Sequence, residues 1–103
     1  MLVDKIGERG RARFKIEKIS YYIYQFTVES PYLQYADPNS VEAIIWPVGN
    51  DPNSPHIFTR VTNTQYRNAN SISINRNTYY NFHVYYNYNT KIYLDEIIFN
   101  INS

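Results

Sequence analysis

The sequence predicts an all-β protein, an antiparallel β-sandwich of the jelly-roll type. Apolar and polar residues alternate with a period of two along several stretches, while no window of a dozen residues keeps the apolar spacing of an amphipathic helix. Clusters of Asn, Asp, Pro and Ser separate these stretches, as turns separate short strands. A chain of 103 residues has room for one hydrophobic core, so we expect a single domain over residues 1–103.

The first half of the chain predicts three strands. From Arg11 to Lys18 every second residue is charged and the residues between are apolar, which is typical of a strand with one solvated face. The next stretch, YYIYQFTVES, predicts a second strand, and VEAIIWPV a short apolar strand that ends at Pro47. The second strand has one face that we expect to be apolar, formed by Tyr22, Tyr24, Phe26 and Val28.

The second half predicts an exposed loop at GNDPNSP, a strand at HIFTRVT, a polar irregular stretch at NTQYRNANS and a short strand at SISIN. The tail, YYNFHVYYNYNTKIYLDEIIFNI, predicts a hairpin that turns at NYNT. In its first strand, one face carries Phe82, Val84 and Tyr86, and we expect this face in the core. Tyr79, His83 and Tyr85 alternate with them and are left free to contact a ligand.

Composition argues against several classes of function. The chain has no cysteine, two histidines and three glycines, so thiolate metal sites, nucleophile elbows and phosphate-binding glycine loops find no residues to build them, and we expect no enzyme activity. A net charge of +1 does not favour a nucleic-acid partner. No apolar run approaches the roughly 20 residues of a membrane span. The first residues are charged rather than apolar, and no compartment is indicated.

The tail also resembles the closing hairpin of galactose-binding-like jelly rolls, which include the third domain of insecticidal crystal toxins and several carbohydrate-binding modules. The resemblance rests on YLDEI at residues 93–97, on YYIYQFTVES and on SVEAIIWPVGN. It implies a β-sandwich that binds glycans through its loops or its concave face. It also implies a structural calcium ion held by Asp95, with Glu17 as its partner from the first strand.

Carbohydrate binding is therefore the first functional hypothesis. Tyrosine rings would stack on sugar rings, and asparagine and arginine side chains would supply directional hydrogen bonds. Trp46 has two interpretations, a core residue at the end of its strand or a stacking platform for a ring. The candidate ligand-binding residues are Trp46, Tyr66, Arg67, Tyr79, His83, Tyr85 and Tyr88.

The second hypothesis is a structural subunit of a phage, virion or spore surface that uses the same sandwich for subunit contacts. Ile97, Ile98, Phe99 and Ile101 make the last strand unusually apolar for the edge of a monomer. An apolar edge strand invites pairing with another chain, so self-association is the expected partner interaction in this case.

Overall fold

The computed structural model describes residues 2–21 and 23–102, and eight β-strands lie in this part of the chain. A short 3₁₀ helix, Pro31–Tyr35, follows the third strand. Tyr22, which the sequence places on the second predicted strand, lies outside the described residues. The strands are β1 Val3–Ile6, β2 Arg13–Ser20, β3 Ile23–Glu29, β4 Glu42–Pro47, β5 His56–Thr62, β6 Gln65–Asn68, β7 Tyr79–Tyr88 and β8 Thr90–Asn100.

All eight strands belong to one antiparallel sheet, in the order β1-β2-β3-β6-β5-β4-β7-β8. The first and last strands of this order lie near each other, and the Glu8 amide, just after β1, donates to the Glu96 carbonyl of β8 at 2.9 Å. The sheet is thus nearly closed. The all-β antiparallel prediction is confirmed, but the arrangement is barrel-like rather than a sandwich. The physical reason is a short β4–β5 pairing, Glu42 with Ile57 and Ala43 with His56, which joins the two halves into one sheet.

Inward-pointing residues of the strands fill the barrel with an aromatic core. Phe82 lies at its centre and meets Phe14, Phe26 and Phe99 edge-on, with ring centroids 5.0, 5.7 and 6.2 Å away. Such edge-to-face pairs add a modest attraction to the burial of apolar area. The predicted core residues of the first tail strand, Phe82, Val84 and Tyr86, are all buried, which confirms the alternation inferred there.

The expected SISIN strand is absent from the structure, which gives residues 71–75 no strand pairing within the described chain. This segment instead belongs to a loop over one end of the barrel and buries Ile72 there. The loop is held by a side chain, because the Asn75 amide donates to the Tyr80 hydroxyl at 2.7 Å. Conversely, β6 lies within the stretch expected to be irregular, between β3 and β5.

The closing strand β8 turns most of its apolar residues inward. Ile97, Phe99 and Ile101 are buried in the core, whereas Ile98 is exposed. The edge of β8 faces β1, and the Lys5 ammonium group donates to the Ile98 carbonyl at 2.9 Å. The apolar character of this strand is therefore accounted for by the core of the monomer, and it gives self-association no support.

Candidate functional site

The outer face of β4, β7 and β8 brings together several of the residues that the sequence singles out. Strand pairing aligns Ile44, His83 and Glu96 in one row across the three strands. Trp46 lies opposite Asn81, and Tyr85 opposite Tyr93. Because alternate residues of a strand share a face, these side chains point away from the core that Phe82 and its neighbours fill.

Four rings form a continuous row on this face, which we name the aromatic strip: Trp46, His83, Tyr93 and Tyr85. The ring centroids of Trp46 and His83 are 4.7 Å apart, and those of His83 and Tyr93 are 5.5 Å apart. Tyr93 and Tyr85 follow at 5.3 Å. Each of these residues is partly exposed, so the strip is a surface feature supported by a rigid sheet.

Glu96 lies between two members of the strip and joins them by hydrogen bonds. One of its carboxylate oxygens, Oε2, is 3.1 Å from His83 Nε2, and the other accepts a hydrogen bond from the Tyr93 hydroxyl. Burial and the neighbouring carboxylate both raise the pKa of Tyr93 well above its usual range. The Tyr93 hydroxyl therefore remains protonated in ordinary buffers, and its orientation is set by Glu96.

Two cations cover the far end of the aromatic strip. The Lys91 ammonium group lies 5.0 Å from the Tyr85 ring centroid, and the Arg9 guanidinium carbon 5.0 Å from that of Tyr93. Lys91 also contacts a Glu42 oxygen at 2.7 Å, and this hydrogen bond raises the pKa of Lys91. Aromatic rings, carboxylate acceptors and cationic donors thus share one face.

The remaining predicted ligand residues do not join the strip. Tyr79 is 62 % exposed on the same face, further along β7, and with Val48 and Ile98 it lines a shallow depression of about 450 Å³. Arg67 lies on β6, paired with β3 and β5, and so belongs to another part of the barrel. Tyr88, the last residue of β7, stacks on Tyr35 of the 3₁₀ helix, with ring centroids 6.1 Å apart.

Tyr66 was predicted to contact ligand, and this prediction is wrong. Its side chain points into the barrel and is 1 % exposed. The surrounding stretch, NTQYRNANS, looks polar and irregular in sequence, but it contains strand β6, whose inward position Tyr66 occupies. The polar character of the stretch therefore does not show that Tyr66 is a core residue.

Asp95 does not fit the calcium site that the resemblance implies. It is fully buried, and its two carboxylate oxygens accept backbone hydrogen bonds from Arg9, Arg11 and Ala12 at 2.8 to 3.0 Å. The Glu96 amide donates to the same carboxylate at 2.8 Å. These N–H donors satisfy the carboxylate anion. They also occupy the positions around its oxygens that a bound cation would need.

Glu17, the expected partner of Asp95, lies on the outward side of β2 opposite Gln25. The buried Asp95 carboxylate faces the loop between β1 and β2 instead. In residues 2–21 and 23–102, no group of three or more His, Asp or Glu side chains is placed to hold a metal ion. In the described part of the chain, Asp95 and Glu17 therefore do not come together as the resemblance implies.

Besides Arg9, Lys91 and Glu42 at the edge of the face, sequence reasoning missed Tyr93 and Glu96. A β-bulge explains the omission of Tyr93, because the register between β7 and β8 shifts after the Val84–Asp95 pair, so that Tyr85 pairs with Tyr93. Leu94 and Asp95 are consequently both buried and consecutive. Strict alternation would place Tyr93 on the core side, and only the acidic residue within an apolar run signals the irregularity.

Fold and surface together define an all-β antiparallel protein with a barrel-like sheet and an aromatic outer face. A scan against protein-family models finds no match to the chain, and a search of curated proteins finds no significant match. Within the described residues, no helix is long and apolar enough to cross a membrane.

Proposed function

We propose that this protein is a non-catalytic carbohydrate-binding module, and that the aromatic strip is its glycan-binding face. The observation that carries the proposal is the continuous row of Trp46, His83, Tyr93 and Tyr85 on the outside of the sheet. Aromatic rings pack well against the C–H faces of sugar rings, because both surfaces are apolar and nearly flat.

The polar groups beside the rings support the same function. Carboxylates such as Glu42 accept hydrogen bonds from the hydroxyl groups of a sugar, and Lys91 and Arg9 donate to its oxygens. Glu42 and Lys91 already contact one another at 2.7 Å, which holds both at the edge of the strip. A few placed polar groups beside apolar surface are the usual means by which a protein fixes the orientation of a ligand.

The open shape of the face implies modest affinity for one sugar unit. A sheet surface covers one side of a ligand, and the long side chains of Arg9 and Lys91 lose conformational freedom when they are held. The strip contains several rings in a row, so we expect it to bind oligosaccharides more tightly than monosaccharides.

The proposal is tested on a glycan array with the purified chain, using Tyr85→Ala as the binding variant. Tyr35→Ala is the matched control, because Tyr35 is an exposed tyrosine on the 3₁₀ helix, outside the strip. We expect specific binding that Tyr85→Ala abolishes and Tyr35→Ala retains. Calcium in the buffer is expected to have no effect. A blank array, or binding that both variants retain equally, contradicts the proposal.

A second candidate function, a subunit of a larger assembly, has one observation in its favour. Val48, Tyr79 and Ile98 are each more than two-fifths exposed and line one shallow apolar depression. Size-exclusion chromatography over a dilution series tests this function. A concentration-dependent oligomer that Tyr79→Ser dissociates supports the assembly, and a monomer at every concentration argues against it.

A further inference from the structure

A polar depression of about 660 Å³ lies at one end of the barrel, on residues that the aromatic strip does not use. The ends of β4 and β7 form one side of it, and the loops that precede β5 and β7 form the other. This volume falls in the range of small-molecule sites in proteins, which is about 300–1,000 Å³. The depression is therefore large enough for a ligand the size of one sugar ring.

The rim of the depression carries hydrogen-bonding side chains that have no hydrogen-bond partner among the described residues. The hydroxyls of Ser54, Ser71 and Ser73 and the imidazole of His56 line it, and none of them has a side-chain hydrogen bond within the described residues. The Asn53 side chain makes one hydrogen bond among the described residues, in which its Nδ2 donates to the Ile45 carbonyl at 3.2 Å. Several donors and acceptors thus converge on one space.

The floor of the depression is apolar and fixed. Ile45, Ile72 and Tyr80 line it, and each is at most 5 % exposed. The Tyr80 ring stacks on Phe99 with centroids 5.5 Å apart, and its hydroxyl accepts the Asn75 amide at 2.7 Å. Because both ends of Tyr80 are held, the small part of its side chain that remains accessible keeps a fixed position in the floor.

The residues that line the depression favour an uncharged ligand. In the part of the chain that the structure describes, no Asp, Glu, Lys or Arg lines the depression, so neither an anion nor a cation meets an opposite charge there. The titratable lining groups are His56 and Tyr80. Burial lowers the pKa of His56, which favours the neutral imidazole with one donor and one acceptor nitrogen. A neutral molecule with many hydroxyl groups and one apolar face matches these features.

We propose that this depression is a second binding site, which takes a neutral polyhydroxylated ring such as a pyranose sugar. Ser54, Ser71, Ser73 and His56 would bond its hydroxyls, while the apolar floor would contact its C–H face. The site goes beyond the function proposed for the aromatic strip, since the two share no residue. Either site can bind sugar when the other does not.

The test is a titration of the ¹⁵N-labelled full chain with glucose, galactose, mannose and N-acetylglucosamine, followed by amide and imidazole NMR shifts. We expect saturable shifts at His56 and residues 71–73 with at least one of these sugars. Glucuronate, which carries a charge, is expected to bind more weakly. His56→Ala and Ser71→Ala should each weaken binding roughly tenfold, the change that corresponds to one lost hydrogen bond.

His83→Ala and Tyr85→Ala serve as controls, because they remove a histidine and a tyrosine of the aromatic strip. Binding at the depression should be unchanged in both. The proposal is overturned if no neutral sugar shifts the depression signals, or if Ser71→Ala, on an exposed loop, binds as tightly as the wild type. Shifts confined to the strip would also overturn it while leaving the function proposed for the strip intact.

Discussion

Asp95 shows at the scale of one residue how the barrel is closed. Its buried carboxylate accepts the amides of Arg9, Arg11 and Ala12, all from the loop that connects β1 and β2. Gly7 lies against the same carboxylate, and a Cβ atom there would be 2.1 Å from the Asp95 carboxyl carbon. The loop can therefore reach Asp95 only because residue 7 has no side chain.

We expect Asp95→Ala to lower the free energy of unfolding by about 3 kcal/mol, since three loop amides lose a buried acceptor. Gly7→Ala is expected to destabilise the protein as well, because its methyl group would displace the Asp95 carboxylate. Urea unfolding followed by circular dichroism measures both. Asp4→Ala is the control, as it removes an exposed carboxylate paired with Arg13 and should change stability little. Equal stability of Asp95→Ala and Asp4→Ala would contradict this role.

His56 links stability to pH. Burial lowers its pKa below the ordinary 6.5, so the unfolded chain takes up a proton before the folded chain does. The contribution is fully present above pH 6.5 and is lost as pH falls through the lowered pKa. We therefore expect the wild type to lose more stability than His56→Gln between pH 7.5 and pH 5, as measured by urea unfolding at each pH. A parallel decline of the two proteins would contradict a lowered pKa of the half-buried His56 imidazole.

At the scale of the element, the β7–β8 hairpin was predictable in its position but not in its register. The period-two pattern places Phe82 inward and His83 outward, as observed. The pattern fails in β8, because the bulge at Leu94 and Asp95 moves Tyr93 to the outer face. Apart from the acidic residue within an apolar run, the sequence gives no sign of this bulge, since Asp95 is held by contacts with a loop more than 80 residues away.

The turn of this hairpin gives a prediction of its own. Asn89 has a φ of 62°, in the left-handed region that asparagine and glycine tolerate and β-branched residues avoid. Asn89→Val is expected to cost about 1–3 kcal/mol of stability, and Asn89→Gly close to nothing. Thermal unfolding of the two variants makes the comparison, and equal midpoints would contradict a left-handed turn at this position.

For the whole molecule, strand content and antiparallel pairing followed from the sequence because alternation is a local pattern. The closure of the sheet did not, because the residues that bring its two ends together, such as Glu8 and Glu96, lie far apart along the chain. The aromatic face was likewise predictable only in part. Trp46, His83 and Tyr85 are on the face, whereas Arg9 and Glu96 reach it only through the fold.

Trp46 provides a direct probe of glycan binding to the aromatic strip. Trp46 is the only tryptophan in the chain and lies at one end of the strip, with its ring centroid 4.7 Å from that of His83. Its fluorescence therefore reports on this face without a label. Tyr85 lies further along the strip and is paired with Tyr93, so removing it tests the same surface without touching the probe.

The measurement is a fluorescence titration of wild type and Tyr85→Ala with the oligosaccharide that binds best on the array. A saturable change in Trp46 emission, with protection from acrylamide quenching, is expected for the wild type. Tyr85→Ala should weaken this binding by roughly tenfold or more, as the loss of a stacking ring predicts. Unchanged emission and quenching at saturating glycan, or equal affinities of the two proteins, would contradict the assignment of the strip as the binding face.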